Sequence, residues 1–400
     1  MTDNEKHIPA GYKLSPLGLI PEDWEVKRLG EYVTIMSGES PSLYELMASG
    51  KYPYVKVEDM NNCAKYQSQS REYSNDNRNV VPKGSVIFPK RGAAILNNKV
   101  RIAQKSILMD SNMMAITANE FFLDSEYLYY SIINEQLYKI ADTSTIPQIN
   151  NKHIIPYRFR LPILKEQHRI VSVLSLWDTA ISKQTQLVEK LTLRKRGLMQ
   201  QLLTGMKRLK GFEGGNFHRL GNYISECNRR NNGCKRVLSV TNTRGFILQE
   251  EQFDKIVASN DTSNYKVVRR GEFAYNPSRV NVGSLAILNE YNEGILSPMY
   301  IVFKANENID KTYLLQCLQS WWFRGHIPAY TQGSVRDSLS FDGLCSMKFY
   351  IPTLQEQKAI SAILERADKE IEIHKQKLAS LQEQKKGLMQ VLLTGKKRVK

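Results

Sequence analysis

LPILKEQHRI (161–170) and, further along the chain, GLMQQLLTGMKR (197–208) are the two passages that organise this sequence. Both return 190 positions later, as IPTLQEQKAI and GLMQVLLTGKKR. Residues 161–210 align with 351–400 without a gap, and 22 of the 50 positions are identical. The chain therefore contains an internal duplication.

Between these passages, apolar residues recur at alternating steps of four and three, which is the heptad pattern of a long helix with one apolar stripe. The stripe is interrupted by Gln184 and Lys195 in the first copy, and by His374 and Lys385 in the second. A stripe of this length must be covered, and its own repeat is the nearest available cover. The predicted seam comprises Ile170, Leu174, Trp177, Ile181, Val188, Leu191, Leu198 and Leu202, with Ile360, Leu364, Ile371, Leu378, Leu381, Leu388 and Leu392.

The ends of both predicted helices follow from proline and glycine. Each helix begins after Pro162 or Pro352, because proline is tolerated at a helix start and not in its interior. Each ends at a Thr-Gly pair, where glycine can adopt the left-handed conformation of a C-cap. Gly197 and Gly387 lie inside the helices at a cost of up to about 1 kcal/mol each relative to alanine. Their recurrence suggests a close helix crossing.

Composition limits the class of protein. A chain of 400 residues with 42% hydrophobic residues can form two or three packed domains. No apolar run approaches the ~18 residues that span a bilayer, and the N-terminal MTDNEKHIPAGYKL has no signal-peptide core. The five cysteines form no CxxC pair, which suits reduced thiols. We expect a cytoplasmic protein with no membrane partner and no metal site.

The formal net charge of +16 is concentrated on the repeats. Residues 161–210 carry 10 basic and 3 acidic side chains, and residues 351–400 carry 11 and 6, so the repeats hold 12 of the 16 charges. Such an excess favours a polyanionic partner, because neutralised phosphates release counterions. A solvated helix face that only aids solubility is the alternative interpretation.

The segments outside the helices are repeated more loosely. Strand-like runs surround Gly84 and Gly271, and each is followed by a polar loop. An amphipathic helix comes next, at 125–140 and at 311–325, and a Ser/Thr-rich loop closes each half. Trp321 and Trp322 have apolar neighbours in the second of these helices and are expected to fill the core. The predicted boundaries are a domain at 1–160, a helix at 161–206, a domain at 207–350 and a helix at 351–400.

The sequence contains no recognisable catalytic motif. It lacks the patterns GxxxxGK[ST], GxGxxG after a strand, HExxH and GxSxG. Its polar loops instead carry side chains that can form bidentate hydrogen bonds with base edges or hold phosphates. The candidate DNA-binding residues are Lys90, Arg91, Asn97, Asn98, Lys99, Thr145 and Gln148 in the first half, and Asn276, Ser278, Arg279, Asn281, Ser334 and Arg336 in the second.

These passages resemble the specificity subunits of type I restriction-modification systems. The resemblance extends from LGLIPEDWEVKRLG near the N-terminus through the paired openings LPxLxEQxxI and the paired endings GLMQxLLTGxKR. TSTIPQIN, which ends at Asn150, is similar to the family's closing loop, whereas GSVRDSLS, which ends at Ser340, departs from it. The likeness therefore covers essentially the whole chain.

The resemblance implies an α+β fold in which two globular target recognition domains alternate with two long helices. The helices would pack as an antiparallel coiled coil about a pseudo-twofold axis. Each domain would bind one half of a divided sequence in double-stranded DNA, and the chain itself would have no catalytic activity and bind no cofactor. Its partners would be two modification subunits, which methylate adenine with S-adenosylmethionine, and two restriction subunits, which use ATP and Mg²⁺.

If the helices pair antiparallel about their midpoints, facing positions sum to about 562. This sum places Lys385 near Trp177, where its ammonium group could lie over the indole ring. Two other classes of function stay open at this point. One is a fused restriction enzyme in which these domains supply the specificity, and the other is a coiled-coil scaffold that joins two protein-binding domains.

Overall fold

The computed structural model describes residues 8–143, 146–252, 261–331 and 338–399. The chain divides into two compact units. The first unit joins residues up to 183 with residues from 377 onward, and the second unit comprises residues 184–376. The division falls inside both long helices, so each helix contributes one part to each unit.

The helices include two that are far longer than the rest. They are α1 (Ser125–Glu135), α2 (Asn151–Ile154), α3 (Leu164–Leu203), α4 (Gln249–Gln252), α5 (Lys311–Gln319), α6 (Trp321–His326), α7 (Phe341–Ser346) and α8 (Leu354–Leu392). Gly205 and Gly395, which follow α3 and α8, both have a φ of 73°. This is the left-handed conformation of a glycine C-cap. In the described part of the chain, no helix has the length and apolar composition needed to cross a membrane.

Within each unit, the parts of α3 and α8 run antiparallel. In the first unit, Glu166 contacts Arg398 and Asp178 contacts Lys385. Residue numbers therefore increase along α3 in the direction in which they decrease along α8. The second unit repeats both contacts at the 190-residue offset, with Glu356 against Arg208 and Asp368 against Lys195. The two long helices and the repeated mixed α and β elements confirm the predicted fold class.

The first unit is built on a five-stranded sheet in the order β4-β11-β8-β9-β6. A three-stranded sheet, β10-β5-β7, and the pairs β1-β2 and β12-β3 complete it. Its strands are β1 (Tyr12–Ser15), β2 (Gly18–Pro21), β3 (Glu25–Arg28), β4 (Val33–Ser37), β5 (Tyr52–Val55), β6 (Tyr66–Gln67), β7 (Glu72–Ser74), β8 (Val86–Pro89), β9 (Arg101–Ala103), β10 (Leu108–Met109), β11 (Met113–Ala118) and β12 (Arg158–Leu161).

The second unit repeats the central sheet in the order β14-β21-β18-β19, which corresponds to β4-β11-β8-β9. Phe88 pairs with Met114 in the first unit, and Tyr275 pairs with Ile301 in the second, so these strands are related by 187 positions. The strands are β13 (Asn216–Arg219), β14 (Ile224–Glu226), β15 (Leu238–Thr241), β16 (Gly245–Leu248), β17 (Lys266–Arg269), β18 (Phe273–Tyr275), β19 (Leu285–Ile287), β20 (Glu293–Leu296), β21 (Ile301–Ala305) and β22 (Lys348–Ile351).

Each unit has its own core between the central sheet, the amphipathic helix and the long helices. Trp24, Tyr127 and Leu174 are fully buried in the first core. Tyr313 and Leu364 are at most 1% exposed in the second. Aromatic side chains of this size supply a large share of the buried apolar area. Each globular segment is therefore packed onto the long helices by direct apolar contact.

The second amphipathic helix is divided, and one core prediction is therefore wrong. Ser320 has an extended backbone, and its hydroxyl oxygen accepts a hydrogen bond from the Phe323 N–H at 3.1 Å, which starts α6 as a new helix. The restart changes the helical phase, so the Trp321 side chain is 82% exposed instead of buried. Trp322 is half-buried, with its ring 5.2 Å from that of Phe349.

Among the described residues, nothing forms the close helix crossing expected at Gly197 and Gly387. A methyl group at either position would meet no atom of the described chain within 4 Å apart from the helix itself. The recurrence of glycine therefore does not come from tight packing within the described chain.

Alanine at Gly197 or Gly387 is expected to raise the free energy of unfolding by about 0.5–1 kcal/mol, because alanine restricts the unfolded chain and meets no obstacle in the helix. Gly205→Ala is the contrasting variant. Its φ of 73° disfavours alanine, and the added methyl would lie 2.7 Å from the Tyr350 ring. The midpoint of urea denaturation should therefore rise for Gly197→Ala and Gly387→Ala and fall for Gly205→Ala. A lower midpoint for Gly197→Ala would contradict the interpretation.

Candidate nucleic-acid interface

The buried glutamine of the opening passage connects each globular segment to its long helix. Gln167 is fully buried; its Oε1 accepts a hydrogen bond from the Asp124 N–H at 2.8 Å, and its Nε2 donates to the Phe122 and Pro162 carbonyls. Asp124 in turn caps α1 through the Tyr127 N–H. Gln357 repeats these contacts with Asp310, Asn308 and Pro352. The glutamine therefore fixes the start of the amphipathic helix to the start of the long helix.

The glutamate that precedes this glutamine binds the arginine of the closing passage. Glu166 is 4% exposed and accepts two hydrogen bonds from the Arg398 guanidinium, at 2.6 and 2.7 Å, and one from the Trp24 indole at 2.9 Å. Arg398 also donates to Asp23. Hydrogen bonds to Glu166 and Asp23 raise the pKa of Arg398, and its guanidinium lowers the pKa of Asp23.

The same contact closes the second unit. Glu356 is 1% exposed and accepts hydrogen bonds from Arg208 at 3.1 and 2.7 Å. The opening passage of each copy therefore binds the closing passage of the other copy. This reciprocity explains why the two identical clusters of the repeat lie at its ends.

Asp178 is the centre of a charged cluster in the first unit. It accepts a hydrogen bond from the Tyr130 hydroxyl and contacts the ammonium groups of Lys385 and, at 3.5 Å, Lys65. Lys385 also lies 5.2 Å from the centroid of the Tyr130 ring. Its aromatic partner is therefore Tyr130 and not the expected Trp177. Burial, followed by the hydrogen bond to Asp178, raises the pKa of Tyr130.

The second unit has a smaller version of this cluster. Asp368 contacts Lys195 at 2.6 Å and accepts a hydrogen bond from Gln316 at 3.3 Å. Gln316 stands where the first unit has Tyr130. Near the midpoint of the helices, the Gln184 carboxamide lies 2.9 Å from Nδ1 of His374 and donates to the His374 carbonyl. Of the polar residues of the stripe, Gln184 and His374 are therefore paired with each other, and Lys195 and Lys385 are paired with aspartates of the facing helix.

The apolar residues of the stripe face inward. Ile170 and Leu174 are at most 1% exposed, and Ile360 and Leu364 match them in the second unit. Leu191, Leu202, Ile371 and Leu392 are also buried. Trp177, Ile181, Val188, Leu198, Leu378, Leu381 and Leu388 are partly buried. All fifteen seam residues are therefore at least partly covered.

In the first unit, the loop after β8 meets the closing loop. Arg91 and Gln148 form an isolated antiparallel bridge, with hydrogen bonds from the Gly92 N–H to the Pro147 carbonyl and from the Ile149 N–H to the Lys90 carbonyl, both at 2.9 Å. Arg91 is exposed. Lys90 is half-buried, and burial followed by the nearby Arg91 charge lowers its pKa. Two cations and an amide therefore meet at one edge of the sheet.

The remaining candidates of this loop differ in whether their side chains already bind the chain itself. Asn97 is exposed. Asn98 has a φ of 48° and donates from its side chain to the Ile133 carbonyl at 2.9 Å. Lys99 donates to the Asn61 side chain at 2.7 Å. Asn98 and Lys99 thus take part in contacts that hold the loop.

In the second unit, the equivalent loop follows β18. Asn276 is 8% exposed, and its side-chain oxygen accepts a hydrogen bond from the Ser278 N–H at 3.1 Å. Ser278, Arg279 and Asn281 are exposed. Asn276 therefore shapes the turn, while Ser278, Arg279 and Asn281, on either side of the buried Val280, present their side chains to solvent. Thr145, Ser334 and Arg336 lie outside the described residues.

Arg324 belongs with this loop, although it is not among the candidate residues predicted from the sequence. Gly283 has a φ of 97°, and a methyl group there would lie 3.1 Å from the Arg324 guanidinium and 3.5 Å from Asn242. Arg324 is exposed on α6, one turn after Trp321. Trp321 and Arg324 are three residues apart and therefore lie on the same face of α6. This could be inferred from the sequence only if the helix was known to restart at Ser320. Among the described residues, no His, Cys, Asp and Glu cluster suits a metal ion.

Comparison with known families supports the interpretation drawn from the repeated passages. The family model for the type I restriction modification DNA specificity domain matches this chain twice, over residues 21–192 and 221–383. A type I restriction enzyme MjaVIII specificity subunit from Methanocaldococcus jannaschii is 26% identical to it over 412 residues. That alignment covers 95% of this chain and 94% of the relative.

Two solved structures have the same fold. A specificity subunit of a type I restriction-modification system from M. genitalium superimposes with a TM-score of 0.53 and 16% identity, covering 92% of this chain and 96% of that one. A chain from a structural study of type I system assembly and conformational transition gives a TM-score of 0.60 and 17% identity, covering 94% and 99%. At these identities, the likeness concerns the fold.

Proposed function

The chain belongs to the type I restriction-modification DNA specificity family, and from this membership we propose that each unit reads one half of a divided DNA sequence. The single observation that carries the proposal is the repeated sheet edge. In both units, the strand at the centre of the sheet runs into a polar loop with an exposed arginine, Arg91 after β8 and Arg279 after β18. An arginine in such a loop can form a bidentate contact with guanine.

The burial of the other candidates suggests a division of roles. Arg91, Arg279 and Asn281 are proposed as base-reading residues, whereas Gln148 is proposed to hold the closing loop, because its side chain already donates to that of Asn150 at 3.1 Å. Asn98 and Asn276 are proposed to hold the loops, because their side chains already bind the chain itself. Lys90 and Arg324 are suited to phosphate contacts, which position a protein on DNA without reading its sequence.

The subunit confers specificity and has no catalytic activity. It binds DNA and assembles with modification and restriction subunits. We further propose two copies of each partner, one modification subunit for each half of the pseudo-symmetric chain. In this proposal, S-adenosylmethionine, ATP and Mg²⁺ act on those partners, and the target adenine leaves the base stack for a pocket in the modification subunit. The two long helices set the gap between the half-sites, and the complex acts on DNA in the cytoplasm.

Mapping of methylated adenines tests the proposal. The chain is co-expressed with its modification subunit and incubated with genomic DNA and S-adenosylmethionine. We expect a divided motif with a fixed gap. Arg279→Ala should relax the sequence requirement in one half and Arg91→Ala in the other, each with a loss of binding of about five- to 150-fold, because a base-reading arginine contributes about 1–3 kcal/mol.

Arg78→Ala is the matched control. Arg78 is exposed and pairs with Asp76 within its own turn, so its removal should leave the motif unchanged. Exchange of residues 207–350 with those of a relative should change only one half-site. A continuous motif, or loss of the same half-site in both arginine variants, would contradict the proposal. Absence of any duplex binding at low salt would favour the scaffold alternative.

A further inference from the structure

The two sheet edges differ in chemistry at equivalent positions. Met114 and Ile301 are equivalent because they pair with Phe88 and Tyr275. Two residues before them, in the turn that leads into the strand, the first unit has Asn112 and the second has Met299. This turn adjoins the proposed base-reading loop in each unit, so the exchange of an amide for a thioether affects the same place in the site.

In the first unit, the turn and the start of the loop are polar, and Leu96, further along the loop, is 52% exposed. The Lys90 N–H donates to the Asn112 carbonyl at 2.8 Å. The Asn112 carboxamide donates to Asp110 at 2.8 Å, and Arg91 lies in the same cleft as both residues. Such groups recognise bases through hydrogen bonds to their edges.

In the second unit, apolar side chains are exposed at this place. Met299 is 57% exposed, and its sulfur lies 3.9 Å from the Asn276 carboxamide nitrogen. Pro277 and Ser278 stand at the positions of Lys90 and Arg91. Val282, in the same loop, is 56% exposed. Exposed apolar side chains beside a base-reading loop can contact the methyl group of thymine, which is an apolar feature of the DNA.

We propose that Met299 and Val282 contact thymine methyl groups in the half-site read by the second unit. Thymine is the one base that presents a methyl group in the major groove, and apolar side chains recognise it there. The flexible, polarisable methionine side chain can follow such a group closely. The first unit, by contrast, reads its half-site through hydrogen bonds. This inference rests on the proposed function and assigns a base chemistry to one of its two units.

The test uses the full chain in complex with its modification subunit and duplexes that contain both mapped half-sites. Each thymine of the second half-site is replaced in turn by deoxyuridine, which removes only the methyl group, and Kd is measured at fixed salt. At least one replacement should weaken binding about fourfold, the effect of one buried methyl group. In the Met299→Ala or Val282→Ala variant, duplexes with thymine and with deoxyuridine at that position should have the same Kd.

Deoxyuridine in the first half-site provides the internal control, since any effect there should be unchanged by either variant. The inference is overturned if the Kd of every deoxyuridine duplex lies within about 1.5-fold of the Kd of the corresponding thymine duplex. It is also overturned if the loss persists undiminished in both variants. Neither result affects the proposed function, which is tested separately by the methylated motif and by the two arginine variants.

Discussion

Glutamine in place of Glu166 is expected to lower the free energy of unfolding of the first unit by about 2–3 kcal/mol. Glu166 accepts hydrogen bonds from Arg398 and from the Trp24 indole while only 4% exposed. Removing one partner of a buried ion pair costs about 3–5 kcal/mol. The cost should be smaller here because the Arg398 side chain is 30% exposed and can be solvated, and because glutamine keeps one acceptor oxygen.

Hydrogen exchange of the full chain gives the location of this effect. Amide protection should fall in the first unit for Glu166→Gln and in the second for Glu356→Gln, since the two glutamates hold equivalent places. Lys165→Gln is the control, because Lys165 is exposed beside Glu166. Unchanged protection around Trp24 in Glu166→Gln would contradict the expected result.

Asparagine in place of Asp178 is expected to cost about 2 kcal/mol, more than the same change at Asp368. Asp178 balances two lysines, Lys65 and Lys385, whose side chains are 9% and 16% exposed. Without the carboxylate, these ammonium groups would face each other in a poorly solvated place. Lys65 keeps Glu126 as a partner, which limits the loss.

Asp368 provides the matched comparison. It faces one lysine and is 46% exposed, so its loss should cost less than about 1 kcal/mol. Thermal melting of both variants, each in the full chain, measures the difference. Equal destabilisation would indicate that Lys65 does not depend on Asp178.

The long helices were predictable because their pattern is periodic and repeated. The observed antiparallel side-chain pairs have position sums between 558, for Gln184 with His374, and 564, for Glu166 with Arg398, around the expected value of about 562. Within this register, Lys385 contacts Asp178, the residue next to Trp177. One residue turns a helical side chain by about 100°. That rotation explains why the lysine meets Asp178 and Tyr130 instead of Trp177.

The loops could be chosen by composition, but their contacts depend on distant segments. Arg91 and Gln148 come together through the pairing of two loops that are separated by α1. Asn276 looks like a base-reading residue in sequence, yet its carboxamide is used by its own turn. Trp321 is exposed because the hydroxyl of Ser320 restarts a helix. Each of these outcomes depends on hydrogen bonds that no periodic pattern encodes.

The division of the long helices has a consequence for synthesis on the ribosome. The second unit is one continuous segment, whereas the first needs residues from 377 onward, including Arg398. At about 5–20 residues per second, those residues follow Lys183 by roughly 10–40 s. Domains generally fold in the order of their synthesis, but here the segment made first is completed last. Until then, Glu166 has no Arg398 to bind, and the apolar face around Leu174 is not covered by α8. A chaperone that shields this face would act during that interval.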